Sequence, residues 1–209
     1  MTGTAVAATM QVLGSLSGPP EAQRADLLDA VPSIIAYYSD GSAALAADFY
    51  DAERERAAAK RRFTAEPVIL DRGEKIGRSV AWASKPLLGA DGDVASRLAE
   101  VVQYETARPY RDTITANRRR DPESVGWRRI TSGGCPFCMM LAERGAVYRA
   151  ETARFASHPN CHCAAQPVFK SNDTGEEASV VQYAASKRRT TDADRARVRA
   201  YLAENYGDN

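Results

Sequence analysis

The sequence predicts a mainly α fold, with a helical body, a small cysteine-rich module and a C-terminal helical tail. Apolar residues recur three and four positions apart through most of the first 120 residues, which is the spacing of one helical face. All four cysteines and both histidines of the 209-residue chain fall between positions 135 and 163. A polar stretch at 171–177 then precedes a last amphipathic segment.

The composition is that of a globular protein. Hydrophobic residues make up 44% and charged residues 26% of the chain. No run of eighteen apolar residues is present, so no membrane contact is expected. The net charge of +1 does not demand a nucleic-acid partner, and residues 1–17 lack the basic start of a secretory signal. We therefore expect an unprocessed protein made in the cytosol.

The first half of the chain predicts several helices. Residues 22–38 form one apolar face, and Pro32 is expected to kink or restart that helix. The small and polar run 39–42 predicts a break, followed by a second helix over 43–63.

The next helical stretches carry clearer signals at their ends. Residues 66–88 predict a helix that is interrupted by glycines and stopped by Pro86. Asp93 is suited to cap a strong amphipathic helix that runs, across a kink at Pro109, to about Asn117.

The tail predicts two helices, near 179–188 and over 192–206. Thr191 and Asp194 resemble a capping box at the start of the second. A narrow apolar stripe formed by Val198, Tyr201 and Leu202 is expected to dock either on a partner or on the body.

The cysteines and histidines have the spacing of a structural zinc site. Cys135 and Cys138 stand two residues apart on a turn, and a second group follows about twenty residues later, as in a zinc ribbon or a treble-clef-like unit. His158 and Cys161 suit a second chelating turn, with Cys163 as the alternative to Cys161, so one or both of these cysteines complete the shell. We leave His162 out of the predicted ligand set. The predicted ligands of a structural Zn²⁺ are Cys135, Cys138, His158, Cys161 and Cys163.

This assignment divides the chain into three expected parts. They are a helical body at 1–120, a zinc module at 121–170, and a linker with C-terminal helices at 171–209.

Other cysteine chemistries fit less well. Two disulfides are disfavoured in a reducing cytosol. A zinc nucleobase deaminase needs a His-x-Glu motif upstream of its cysteines, and no histidine precedes position 158. A nuclease with His162 as its base would need a separate catalytic metal constellation, which the sequence does not offer. We therefore expect no enzymatic activity.

Arginines cluster just before the cysteines. They could contact DNA phosphates locally, or they could form a solvated hinge, which is the interpretation we favour. The residues concerned are Arg118, Arg119, Arg120, Arg128 and Arg129.

Residues 127–169 contain a series of short motifs around the cysteines. They are Trp127-Arg128-Arg129-Ile130, Gly134-Cys135-Pro136-Phe137-Cys138, Leu141-Ala142, Arg144-Gly145-Ala146-Val147-Tyr148, His158-Pro159-Asn160-Cys161, Cys163 and Pro167-Val168-Phe169. With these motifs the segment resembles the MuF-like minor capsid (minor head) proteins of tailed bacteriophages, especially those that infect actinobacteria. Members often have arginine where His162 stands here, which supports leaving His162 outside the metal shell.

The resemblance implies a virion protein of the head, made in the host cytoplasm and present in few copies at the portal vertex. It would act in head assembly or in DNA packaging and release. Its expected partner is the portal protein, with the major capsid protein as a second candidate. An internal DNA-binding or ejected protein is the alternative, and a zinc-dependent nuclease is less favoured.

Overall fold

The protein is mainly helical, as the sequence predicts. The computed structural model describes residues 1–131, 136–143, 155, 161, 163–169 and 191–206. The elements in chain order are α1 (Thr2–Ser15), α2 (Pro20–Arg56), α3 (Gly73–Ala83), a 3₁₀ helix (Lys85–Leu88), α4 (Val94–Arg120), β1 (Gly126–Ile130), α5 (Pro136–Glu143), β2 (Ala164–Val168) and α6 (Asp192–Tyr206). The helix expected near 179–188 lies outside the described residues.

The long helix α2 corrects the prediction of two helices with a break at 39–42. It runs unbroken through Pro32 and through Gly41. Ser39 and Ser42 are buried, and a Cβ added at position 41 would lie 2.2 Å from the methyl carbon of Met1, so that flexible side chain would have to move aside. The small residues therefore allow the start of α1 to approach α2 closely, and they do not end the helix.

The segment 66–88 is only partly helical, so the prediction of one helix there is wrong in its first third. An extended segment follows α2 and lies along α4, where the N–H of Val68 donates to Thr113 Oγ1 at 2.9 Å. The side chain of Asn117 exchanges two hydrogen bonds with the backbone of Glu66, at 3.0 and 2.8 Å. These side-chain bonds from α4 satisfy backbone groups that a helix would have paired internally.

Helix α4 confirms its predicted start and approximate end. Asp93 Oδ2 accepts a hydrogen bond from the N–H of Ser96 at 2.7 Å, which is the geometry of an N-cap. The helix continues through the buried Pro109 and ends at Arg120.

Two hydrophobic cores lie along the body. The first is built by α1, α2, α3 and the first half of α4, and its fully buried members include Leu27, Ile35, Val80 and Leu98. The second joins the later part of α2 to β1 and β2. Its buried members are Ala46, Ala47, Tyr50, Ala65, Ile114, Trp127 and Ala165. The second core thus contains residues from both sides of the expected domain boundary at 120, while the three-part division itself stays a prediction.

A two-stranded antiparallel sheet replaces the hinge that we expected between the body and the cysteines. β1 pairs with β2 in the register that sets Gly126 opposite Val168 and Ile130 opposite Ala164. Trp127 is 1% exposed and Arg129 is 3% exposed. The hinge interpretation is therefore wrong for Arg128 and Arg129, which lie on this packed strand, while Arg118, Arg119 and Arg120 form the last turn of α4.

The terminal helix α6 begins and ends as predicted. Its capping box is formed, since the N–H of Thr191 donates to Asp194 Oδ2 at 3.0 Å and the N–H of Asp194 donates to Thr191 Oγ1 at 3.1 Å. Tyr201 and Leu202 pack against a cluster on α5. Of the two docking sites expected for this stripe, the structure shows the one on the chain itself.

Candidate metal centre

Three cysteine side chains meet in the interior beside the sheet. The Sγ atoms of Cys138, Cys161 and Cys163 all lie within 4.8 Å of one another, and the three residues are between 2% and 5% exposed. All three are free thiols. Cys138 Sγ and Cys161 Sγ are 3.7 Å apart, far beyond the roughly 2.05 Å of a disulfide bond.

Two kinds of local structure place these thiols. Cys138 lies in the first turn of α5, whose start at Pro136 uses the fixed φ of proline. Cys161 and Cys163 immediately precede β2, and the pairing of β2 with β1 fixes their distance from the body.

Arg111 on α4 binds the segment that carries Cys161 and Cys163. Its Nη2 donates to the carbonyl of Cys161 at 2.8 Å, and its Nε donates to the carbonyl of Cys163 at 3.0 Å. The fork of N–H donors of Arg111 thus satisfies two backbone carbonyl groups. Arg111 is itself only 4% exposed, so these hydrogen bonds lie in the interior.

An aromatic side chain completes the frame around the thiols. The guanidinium of Arg129 lies 3.9 Å from the centre of the Phe155 ring, and that of Arg111 lies 4.9 Å from it. Trp127 packs on the same ring, with 5.4 Å between the ring centres. Arg129 Nη1 also lies 3.9 Å from Cys161 Sγ. Two buried cations therefore face a cluster of groups that become anionic when they bind a metal.

The electrostatics of the cluster favour a thiolate at Cys161. The hydrogen bond from the Cys163 thiol to Cys161 Sγ is the main cause that lowers the pKa of Cys161, with further contributions from the backbone of Cys163 and from Arg111. The pKa of Cys163 is raised, because its proton is held in that hydrogen bond and because the group is buried. A metal that bound here would meet the Cys161 thiolate already in place and would have to displace the proton of Cys163.

The spacing of the sulfur atoms suits a metal ion. Four thiolates at the usual Zn–S distance of about 2.3 Å form a tetrahedron whose edges are about 3.8 Å. The 3.7 Å between Cys138 Sγ and Cys161 Sγ matches that edge. These three cysteines could therefore hold a metal ion.

A cavity of about 230 Å³ reaches the cluster from the side of α2 and α4. It is bordered by Leu45, Tyr110 and Arg111, and it extends to Cys161 and Cys163.

The structure brings together three of the five predicted ligands. Cys135 and His158 lie outside the described residues, as does His162, so the full ligand set stays a prediction. The structure does show that Cys161 and Cys163 lie together beside Cys138, where the sequence had left the choice between them open.

The sequence did not reveal the residues that frame the cluster. Arg111 lies in the middle of α4, among buried polar residues such as Thr113 and Asn117, where no apolar period marks it as interior. Phe155 is likewise unremarkable in sequence. The one available signal was the aromatic and basic run Trp127-Arg128-Arg129 just before the cysteines, which includes Arg129.

The fold and the cluster together define a mainly helical protein with a buried three-cysteine centre that could hold a metal. A family model described as "VG15 protein" matches residues 1–189, and the chain belongs to this family. The match points to a phage protein. No curated protein and no solved structure shows a significant match to the chain. No helix in the described part of the chain is long and apolar enough to cross a membrane.

Proposed function

We propose that the chain is a structural minor capsid protein of a tailed phage, associated with the portal vertex and acting in head assembly or in DNA packaging and release. The observation that carries the proposal is the family match, which covers the whole helical body and the cysteine segment. The residues of 127–169 that resemble MuF-like proteins lie within the same match. The proposed partners of the chain are the portal protein and, as a second candidate, the major capsid protein.

The proposed ion is zinc, and its role is structural. Zinc prefers thiolate and imidazole ligands in tetrahedral arrangement, which is the donor set of this segment. Cys138, Cys161 and Cys163 would supply three ligands, with Cys135 and His158 as the candidates for the remaining position. Burial of the three thiols and the framing by Arg111, Arg129 and Phe155 fit a closed site better than a catalytic one.

The proposed function is not enzymatic. The chain has two histidines, and both belong to the cysteine segment. Among the residues that the structure describes, Arg111 donates to the carbonyls of Cys161 and Cys163 and Arg129 lies over the ring of Phe155, and a guanidinium group does not act as a general base.

Purified particles of the phage that encodes this chain are expected to contain it in few copies relative to the major capsid protein. Quantitative mass spectrometry of separated heads and tails measures this ratio, and an asymmetric reconstruction of the head should place the chain at the portal vertex. The tail fraction is the control, because the chain should be absent from it. Absence from heads, or a copy number equal to that of the shell protein, would contradict the proposal. Metal-dependent cleavage of DNA by the purified protein would overturn its non-enzymatic part.

A further inference from the structure

Two basic runs that are far apart in sequence meet at the end of the body where α2 and α4 finish. The segment after α2 is fixed there by two bonds to Arg61: Arg54 Nη2 donates to its carbonyl at 2.5 Å, and its N–H donates to Glu123 Oε2 at 2.9 Å. Further along the segment, Glu66 pairs with Arg120 at 2.7 Å. We call this surface the basic end and define it by Lys60, Arg61, Arg62, Arg118 and Arg119.

The two chain segments that form the basic end contain more basic than acidic residues. Residues 53–66 and 118–123 contain eight lysine or arginine residues and five acidic ones. Ion pairs join Glu53 to Arg56, Asp121 to Arg54 and Glu66 to Arg120. The net charge of the whole chain is +1, so this surface is more positive than the rest of the molecule.

Four of these cations face solvent. Lys60, Arg61, Arg62 and Arg119 are exposed, and within the described residues none of their side chains forms an ion pair. Arg118 is half-buried and donates to the carbonyl of Val125 at 3.4 Å. Exposed guanidinium groups present a planar fork of donors that matches a phosphate group.

We propose that the basic end binds the phosphate backbone of double-stranded DNA without reading its base sequence. Phe63 is the one aromatic residue in 53–66 and 118–123, and it packs on Tyr50 and under Arg54. Phe63 is half-buried by these contacts, so the described residues of the two segments offer no fully exposed ring on which an unpaired base could stack, which favours duplex over single-stranded DNA. The choice of DNA among polyanions rests on the proposed function, which sets the chain beside packaged DNA.

This surface differs from the arginine group that the sequence suggested. Arg128 Nε donates to Gln166 Oε1 at 3.0 Å, and Arg129 is buried against Phe155 and Cys161. These two arginines therefore contact the sheet and the cysteine cluster and do not belong to the basic end. Lys60, Arg61 and Arg62, which the sequence analysis did not include, do belong to it.

The test measures binding of the full-length protein to a short random-sequence duplex by fluorescence anisotropy. Four phosphate contacts predict a salt slope of about −3.6, so affinity should fall about a hundredfold between roughly 50 and 200 mM salt. The variant Lys60→Gln/Arg61→Gln/Arg62→Gln should reduce the magnitude of that slope by about 2.7. The matched control is Lys75→Gln/Arg78→Gln/Lys85→Gln, which removes the same charge from exposed positions of α3 and the 3₁₀ helix and should leave the slope nearly unchanged.

Equal losses in both variants would overturn the proposal, because binding would then follow net charge alone. Equal affinity for polyglutamate, or tighter binding of single-stranded DNA, would also overturn it. If the triple variant does not fold, Arg119→Gln should reduce the magnitude of the salt slope by about one. A loss of stability in Arg119→Gln with unchanged DNA binding would show that the arginine serves only the C-terminal end of α4 and would contradict the proposal. A protein that is present in heads but does not bind DNA would sink this inference and leave the proposed function standing.

Discussion

Replacing Cys138 with serine is expected to unfold the part of the chain that follows the helical body. A serine hydroxyl cannot replace a zinc-bound thiolate, and binding free energy at a structural site is folding free energy, on the order of 10 kcal/mol for zinc-finger peptides. Limited proteolysis with trypsin measures the effect: the variant should be cut between Arg118 and Lys170. The body should survive, since the buried members of the first core end at Val102.

The control for this variant is Met140→Leu, two residues further along the same helix. Met140 is fully buried, and an exchange that conserves volume should cost less than about 1.5 kcal/mol and retain the metal. If Cys138→Ser resists trypsin as well as the parent does, the cluster does not stabilise the fold through a metal.

Asp121→Ala is expected to destabilise the protein by about 3–5 kcal/mol, because it leaves Arg54 as a buried charge without its main partner. Arg54 Nη1 lies 2.6 Å from Asp121 Oδ2, and the Asp121 side chain is fully buried. The hydroxyl of Tyr50 donates to the same carboxylate oxygen at 3.2 Å. Glu123 is more exposed and lies 3.6 Å from Arg54 Nη2, so it can replace only part of the interaction. Chemical denaturation measures the change in the free energy of unfolding.

Asp112→Ala is the matched control for Asp121→Ala. It removes a carboxylate that pairs with Arg108 at 3.1 Å on the surface of α4, where both side chains are more than a quarter exposed. An exposed pair one helical turn apart should cost less than about 1 kcal/mol. Equal losses of unfolding free energy in the two variants would show that the buried Arg54–Asp121 pair stabilises the protein no more than an exposed pair does.

The features that the sequence predicted well are those with local causes. The cap at Asp93 and the capping box of Thr191 and Asp194 depend on side chains that bond to backbone groups three residues away, and both are formed. The mainly helical class follows from apolar spacing in the first half of the chain. The meeting of Cys138, Cys161 and Cys163 follows from their clustering in the sequence.

The features that the sequence missed depend on contacts between distant segments. Gly41 and its neighbouring serines suggest a break when considered alone, yet they lie where the side chain of Met1 packs on α2. The extended course of the residues around Glu66 depends on Asn117, fifty-one positions away. The position of Arg111 over the carbonyls of Cys161 and Cys163 could not be predicted, because the buried face of α4 is polar in its second half.

Native mass spectrometry of the full-length protein, purified without added metal, tests the central claim most directly. The account predicts one zinc ion per chain with all four cysteines reduced, because Cys138, Cys161 and Cys163 are free thiols already arranged at metal-binding distances. A folded, metal-free chain whose mass shows two disulfides would contradict it.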